Sequence, residues 1–145
     1  MNFKIWLFLL ASLFAQLSIA AELKNLSPEQ LLDLQQNNAL VVDIRTEKEW
    51  QATGVIADSY KLQFFDNKGR YDAKKWLEQL KKQRVSENQP IILVCRSGQR
   101  SSMVGSFLTQ QAGMDNIYHL QKGMNLWLKQ GKMVKKDCLN KLACK

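Results

Sequence analysis

The segment from Cys95 to Ser101 carries the residues that are best suited to chemistry. It reads Cys-Arg-Ser-Gly-Gln-Arg-Ser and lies between an apolar strand pattern and a helical pattern. A tight loop in this place can turn its backbone N–H groups toward an anion, and the N-terminus of the following helix adds partial positive charge. Arg96 and Arg100 add two full charges, so the segment favours the nucleophilic thiolate form of Cys95. We therefore expect a reactive cysteine rather than one that only fills the core.

The spacing within this loop separates two kinds of cysteine chemistry. Cysteine phosphatases hold phosphate in a longer loop, whereas only four residues separate Cys95 from Arg100 here and Ser101 takes the next position. The smaller loop suits a sulfur atom carried on the cysteine better than a phosphoryl group. A cysteine phosphatase or arsenate reductase is therefore the less favoured alternative.

The elements that must position this loop alternate between strand and helix. Short β-branched or apolar runs predict strands at 39–44, 59–64, 91–94 and 116–120. Ser27, Pro28 and Gln30 indicate the start of a first helix, through an N-cap, a proline at the first position and a capping box. Further helical patterns cover 46–50, 72–84, 101–112 and 124–130. Strands separated by helices predict an α/β fold with a parallel sheet covered on both faces, and sites in such sheets lie at the carboxyl ends of the strands.

Three motifs together resemble the rhodanese family of sulfurtransferases. The Cys95 loop is the first, and the third is the segment from Leu120 to Trp127, which is similar to a Gly-Gly-x-x-x-Trp motif. The second comprises Asp43-Ile44-Arg45, Glu49-Trp50 and Gly54-Val55-Ile56. The resemblance spans residues 26–132 and implies a rhodanese-like three-layer fold, with a central parallel sheet flanked by helices. The chain departs from the family at Val55, at Ala57-Asp58 and at Lys122, where His, Pro-Gly and Gly are common; these positions shape turns away from the nucleophile.

The resemblance also implies a mechanism and roles for the site residues. Cys95 would take a sulfur atom from a small anionic donor such as thiosulfate and pass it, as a persulfide, to cyanide in an assay or to a thiol in the cell. Arg96 would dock the donor, and Arg100 would brace the loop and add positive potential. The loop residues expected to bind the donor or the persulfide are Arg96, Ser97, Gly98, Gln99, Arg100 and Ser101.

Other polar residues are expected to serve the structure. In the family that the chain resembles, the cluster of Asp43, Arg45 and Glu49 is mainly an ion-pair network that holds an early loop. The single histidine, His119, lies in an apolar strand pattern, for which a structural role is favoured. The implied mechanism needs no metal, no nucleotide and no other cofactor. A rhodanese-like binding module without turnover stays an alternative, although such modules typically lack the cysteine.

Chain length and net charge further limit the domain number and the kinds of partner that the sequence allows. The chain has 145 residues, enough for one domain, and a formal net charge of +8. The lysines of the helix at 72–84 share that helix with apolar positions, which is typical of a solvated face. Arginine-rich stripes interleaved with aromatic residues do not occur in the sequence, so we do not expect nucleic acid as a partner. The positive charge would attract small anions.

The first 20 residues have the pattern of a secretory signal peptide. Lys4 precedes an apolar run, and Ser18-Ile19-Ala20 provides small residues for cleavage near Ala20. The run is short for a membrane span, so we expect no stable membrane anchor after cleavage. We therefore expect a signal peptide at 1–20, a domain at 21–132, a basic tail at 133–145 and a periplasmic or secreted protein.

The tail contains two further cysteines, Cys138 and Cys144. On one helix they would point to different faces, but a turning tail can bring them together. Because exported proteins meet an oxidising compartment, we expect a Cys138–Cys144 disulfide and a free Cys95. A part for the two tail cysteines in passing on sulfur stays open.

Overall fold

The computed structural model describes residues 21–136. Its five strands are β1 (Lys24–Leu26), β2 (Leu40–Asp43), β3 (Tyr60–Lys61), β4 (Ile91–Val94) and β5 (Ile117–Leu120). Its five helices are α1 (Pro28–Gln36), α2 (Glu47–Thr53), α3 (Ala73–Gln83), α4 (Gln99–Gln110) and α5 (Gly123–Lys129). All of these helices are too short or too polar to cross a bilayer.

The five strands form one parallel sheet in the order β1-β5-β4-β2-β3. The most hydrophobic strand, β4, lies at its centre and is buried along its whole length. One face packs against α3 and α4 through residues such as Trp76 and Leu108, and the other against α1 and α5 through Leu31 and Trp127. The three-layer α/β architecture predicted from the sequence is therefore confirmed.

Helix starts follow the local signals in the sequence. Ser27 caps α1, and the side chain of Gln30 accepts a hydrogen bond from the Ser27 N–H in return. Thr46 and Glu49 form a second capping box at the start of α2. Reciprocal capping satisfies amides that have no partner within the helix, which is why these boundaries can be found from sequence. α2 continues to Thr53, beyond the predicted end at Trp50.

Other elements also differ from the prediction. The strand expected at 59–64 is regular only at Tyr60 and Lys61, although the Leu62 and Phe64 N–H groups still donate to the Asp43 and Ile44 carbonyls and both side chains lie in the core. Helix α4 begins at Gln99 rather than at 101, since Gly98 turns the chain sharply at a φ of +91°. Strand β1 was not predicted; it has three residues, two of them exposed, and forms only by pairing with β5.

The residues after α5 return to the loop that follows α2. Val55 and Lys135 exchange two backbone hydrogen bonds of 2.9 and 2.8 Å, and the indole N–H of Trp127 donates to the Met133 carbonyl. The first residues of the expected tail thus pack on the domain. Cys138 and Cys144 lie outside the described residues, as do residues 1–20, so the expected disulfide and signal peptide stay predictions.

Candidate active site

Cys95 directly follows β4 at the carboxyl edge of the sheet. Parallel α/β sheets place functional sites at this edge, which is where the sequence predicts this cysteine to lie. Its side chain is fully buried, with no solvent exposure. A three-residue loop then leads into α4, so the nucleophile candidate lies beneath that loop and next to a helix N-terminus.

Two backbone amides point at the sulfur atom. The N–H of Gly98 donates to Cys95 Sγ at 3.1 Å, and the N–H of Ser101 donates to the same atom at 3.3 Å. The thiol in turn donates to Ser101 Oγ at 3.3 Å. Donors fixed on one atom stabilise negative charge that develops there, because they need no reorganisation. The loop amides from about Arg96 to Arg100 were expected to serve this role; in the structure the Gly98 amide does point at the sulfur, and the Ser101 amide of α4 joins it.

The loop keeps its shape through close contact with the turn before α5. The amides of Met124 and Asn125 donate to the carbonyls of Cys95 and Arg96 at 2.9 and 3.0 Å. A Cβ at Gly123 would collide with the Cys95 carbonyl oxygen, and one at Gly98 would lie 2.9 Å from the backbone nitrogen of Lys122. Both glycines also have positive φ values, so only glycine allows the two backbones to approach this closely.

The loop residues expected to bind substrate fall into two groups. Arg96, Ser97 and Gln99 are exposed on the outer side of the loop, and Gly98 and Ser101 are buried beneath it. The exposed group can meet an incoming anion, whereas the buried group contacts the sulfur. A donor reaches Cys95 only by passing the exposed residues, because the sulfur has no direct opening to solvent.

Arg100 is held by an ion pair with Glu49. Its Nη1 and Nη2 donate to the two carboxylate oxygens at 3.0 and 2.5 Å. Partial burial raises the pKa of Glu49, but the hydrogen bonds from Arg100 and Thr46 outweigh burial and lower that pKa to about 2. The same contact raises the pKa of Arg100. The pair fits the expected bracing of the loop, while Glu49 offsets much of the positive potential that Arg100 was expected to supply.

Asp43 and Arg45 form a second, separate pair. Both side chains are 1% exposed, and Arg45 Nη2 lies 2.6 Å from Asp43 Oδ2. The guanidinium also donates to the Gly54 carbonyl at 2.8 Å and to Thr53 Oγ1 at 2.7 Å. The Glu49 carboxylate contacts Arg100 rather than Arg45. The cluster expected to be structural thus contains two ion pairs, Asp43–Arg45 and Glu49–Arg100, and Arg45 Nη1 also donates to the Glu49 carbonyl at 3.5 Å.

His119 lies closer to the cysteine than the sequence indicated. Its Nδ1 is 3.1 Å from Ser101 Oγ, the hydroxyl that contacts Cys95, and its Nε2 is 2.5 Å from Asn25 Oδ1. Burial lowers the pKa of His119. Its position within a strand gave no sign of this contact, because only the pairing of β5 with its neighbours brings the imidazole under α4. Within residues 21–136, no cluster of three or more His, Cys, Asp or Glu side chains offers a metal site.

Comparisons with known proteins show a family match, two curated relatives and a similar fold. The model of the rhodanese-like domain family matches residues 27–130. The thiosulfate sulfurtransferase GlpE of Ectopseudomonas mendocina is 32% identical over 107 residues, which cover 74% of this chain and 86% of that protein. GlpE of Pseudomonas entomophila is 29% identical over 111 residues, with the same two coverages. The polysulfide-sulfur transferase homodimer of Wolinella succinogenes has a similar fold, with a TM-score of 0.60 at 22% identity over 82% of this chain and 84% of that one.

Proposed function

Since the chain belongs to the rhodanese-like domain family, we propose that it is a sulfurtransferase that carries sulfur as a persulfide on Cys95. The observation that carries the proposal is the placement of the Gly98 and Ser101 amides on a buried cysteine sulfur. The same two donors would stabilise negative charge on the Cys95 sulfur in the thiolate and when the persulfide is cleaved. The thiosulfate sulfurtransferase names of the GlpE relatives support the same reaction class.

The proposed reaction is a double displacement with thiosulfate as the first donor. The Cys95 thiolate attacks the outer sulfur of thiosulfate, a new S–S bond forms, and sulfite leaves with the electron pair of the broken S–S bond. Cyanide or a thiol then attacks the outer sulfur of the persulfide and takes it as thiocyanate or a new persulfide. The Cys95 thiolate leaves with its electron pair, so covalent catalysis divides one transfer into two easier steps.

The charges around the loop support an anionic donor. Arg96 is exposed next to the buried cysteine, and it has no acidic partner among the ion pairs of the described residues. Arg100, by contrast, is already paired with Glu49. We therefore assign donor docking to Arg96. The net charge of +8 would draw small anions toward the protein in general.

Loading and turnover with defined donors test the proposal. The purified protein is incubated with thiosulfate or mercaptopyruvate, and cyanide-releasable sulfur and thiocyanate formation are measured. We expect about one releasable sulfur per chain and turnover with thiosulfate, with mercaptopyruvate the poorer donor. Failure to load would favour a binding module, and hydrolysis of an aryl phosphate in its place would favour a phosphatase.

Replacing the nucleophile gives the sharpest form of this test. Cys95→Ser is nearly isosteric and keeps the fold, but a hydroxyl cannot hold a persulfide. We expect turnover below about one per cent of wild type, since removal of a nucleophile costs orders of magnitude in kcat. Residual turnover above that level in a folded C95S protein would contradict the assignment of Cys95.

We also propose that the protein acts outside the cytoplasm. The support is the signal-peptide pattern at 1–20, with cleavage near Ala20 and localisation to a periplasm or the exterior. Intact-mass analysis of the protein from fractionated cells would detect the shortened chain. Alkylation of that protein without reductant should modify one thiol if Cys138 and Cys144 are paired, and three if they are not.

A further inference from the structure

A continuous row of polar groups runs from the cysteine sulfur to the surface. It begins with Cys95 Sγ and Ser101 Oγ, 3.3 Å apart, continues to His119 Nδ1 at 3.1 Å and ends at Asn25 Oδ1, 2.5 Å from Nε2. Cys95 and Ser101 are completely buried and His119 is 5% exposed, while Asn25 is exposed. The row therefore connects a buried thiol with solvent through one titratable side chain.

Asn25 determines which imidazole nitrogen carries the proton. Its Oδ1 can only accept, so His119 Nε2 must donate and carries the hydrogen in the neutral ring. The lone pair of Nδ1 then points at the Ser101 hydroxyl. Burial lowers the pKa of His119 and so favours the neutral ring at rest; the imidazolium is stabilised only when a thiolate forms beside it at Cys95.

Ser101 can pass the Cys95 proton to only one acceptor that is able to keep it. Its hydroxyl accepts from the Cys95 thiol and can donate to either His119 Nδ1 or the Gly98 carbonyl, each 3.1 Å away. A carbonyl oxygen does not keep a proton near neutral pH, whereas an imidazole does. Of the two acceptors, only His119 can therefore complete a transfer.

We propose that His119 is a positioning residue that takes the Cys95 thiol proton through the Ser101 hydroxyl, with Asn25 fixing the imidazole tautomer. As the S–H proton moves to Ser101 Oγ, the former hydroxyl proton moves to Nδ1, leaving a thiolate and an imidazolium. The Ser101 hydroxyl then donates to the thiolate beside the amides of Gly98 and Ser101. The inference rests on the proposed function, because it explains how the sulfur becomes nucleophilic.

The surroundings give the proton a path to solvent. His119 lines an open surface cleft of about 530 Å³ together with Asn25, Ser97, Ser102, Gln121 and Lys122. Gly98, Gln99 and Met103 complete the lining, so Lys122 is its one charged side chain. Glu22 lines the neighbouring cleft that shares Asn25, and the charged groups on α4 include Arg100, which is paired with Glu49. On the other face of the sheet, Lys24 lies over the ring of Tyr118.

The test measures how much Cys95 is ionised at each pH. Thiolate ultraviolet absorbance is recorded for each protein and for its counterpart with Cys95→Ser, and the difference isolates Cys95. His119→Asn keeps an acceptor near Ser101 but cannot take a proton. We expect this variant to move the midpoint of the thiolate curve upward by about one pH unit, which is a tenfold change in the equilibrium. Alkylation, read on the Cys95 peptide by mass spectrometry, should slow about tenfold at neutral pH and recover in alkali.

Asn25→Asp provides an independent test at an exposed position. A carboxylate facing Nε2–H keeps the same tautomer and stabilises the imidazolium, so the midpoint should move downward by about half a unit or more. Direct repulsion between the new carboxylate and the thiolate would move it upward. Opposite shifts of the midpoint in the two variants therefore identify proton transfer through Ser101 to His119, because a charge effect alone cannot produce them.

Thr109→Val is the matched control, because Thr109 is a buried hydroxyl on the same helix that bonds only to backbone carbonyls. Its thiolate curve should coincide with that of wild type. Coincident curves for H119N and wild type, or an upward shift in N25D, would overturn the inference, and if H119N does not fold, N25D decides. The absorbance measurement needs no sulfur donor. Shifted thiolate curves without thiosulfate turnover would therefore support proton transfer to His119 and refute the proposed function. Thiosulfate turnover with unshifted curves would support the proposed function and refute the proton transfer.

Discussion

Two loops leave the same edge of the sheet from neighbouring strands, and they treat buried charge in opposite ways. After β2, Asp43 and Arg45 neutralise each other and nearly every polar atom of the pair has a partner. After β4, Cys95 has two amides aimed at its sulfur and no buried countercharge in contact. The paired charges of the loop after β2 stabilise the fold. The donors of the loop after β4 surround a sulfur atom that can become negatively charged.

The pair between Glu49 and Arg100 joins the two regions. Glu49 lies on α2, which follows the first loop, and Arg100 lies in the first turn of α4, which follows the second. Both side chains are about one quarter exposed. The link ties the loop after β4 to the helix that follows the loop after β2, and it pairs the Arg100 cation with a carboxylate.

The largest effect should come from breaking the buried pair. Asp43→Asn leaves the Arg45 guanidinium buried without its countercharge, and removal of one partner of such a pair costs about 3–5 kcal/mol. We expect the free energy of unfolding, measured by urea titration, to fall by that amount. Asp66→Asn is the control, since the Asp66–Arg70 pair is exposed and its loss should leave stability close to wild type. Equal losses in the two variants would remove the distinction between the loops.

The bridging pair should matter less, and its contribution should depend on pH. The Glu49 pKa is depressed from 4.5 to about 2, so its stabilisation is complete above pH 4.5 and is lost as the pH falls toward 2. Glu49→Gln should cost about 2 kcal/mol at neutral pH and abolish this part of the acid sensitivity. The control Glu47→Gln lies at an exposed position of the same helix turn. It should keep the wild-type stability at neutral pH and the wild-type acid sensitivity. An unchanged acid transition in E49Q would show that the two regions are not coupled through this contact.

Removal of the exposed cation should act on binding rather than on stability. Arg96→Ala should raise the thiosulfate KM about tenfold at low salt and change kcat little, because a charge-assisted contact to a bound anion is lost. Lys82→Ala removes the same charge from the end of α3, at the opposite edge of the sheet, and should leave KM unchanged. If R96A lowers kcat instead, Arg96 stabilises the transition state and its assignment to donor docking is wrong.

The smallest effect concerns the turn that supports the reactive loop. Lys122 has a φ of +60°, a conformation that costs a residue with a Cβ about 1–2 kcal/mol. Lys122→Gly should therefore stabilise the protein by about 0.5–1 kcal/mol in thermal or urea unfolding, after allowance for the greater freedom of glycine in the unfolded chain. Asn38→Gly should gain less, because asparagine tolerates its φ of +68° better. A loss of stability in K122G would show that the Lys122 side chain makes a needed contact.

Much of the fold could be read from the sequence because its signals are local. The capping boxes at Ser27 and Thr46 and the apolar run of β4 each lie within a few adjacent residues. Strand β1 could not be found in this way, since its hydrogen bonds come from β5, far along the chain. Its own residues include only one buried hydrophobic side chain.

The residues of the site were likewise predictable only where their signal lies within a few adjacent residues. The cysteine, the two arginines and the glycine of the loop were visible as one motif. The partner of Arg100 is 51 residues away along the chain, and Asn25 is 94 residues away from His119. Only the folded topology brings such residues together. Spacing could therefore single out the cysteine loop as the candidate site, but not the groups that surround it.

The contact between α5 and the reactive loop also bears on the order in which the chain is made. The Lys122–Gly123 turn and the amides of Met124 and Asn125 hold the carbonyls of Cys95 and Arg96. These residues leave the ribosome after the cysteine and after α4. A growing chain therefore carries its thiol without the turn that fixes the Gly98 and Ser101 amides on the sulfur. The loop around Cys95 can therefore take its final shape only when the chain through the first turn of α5 is complete.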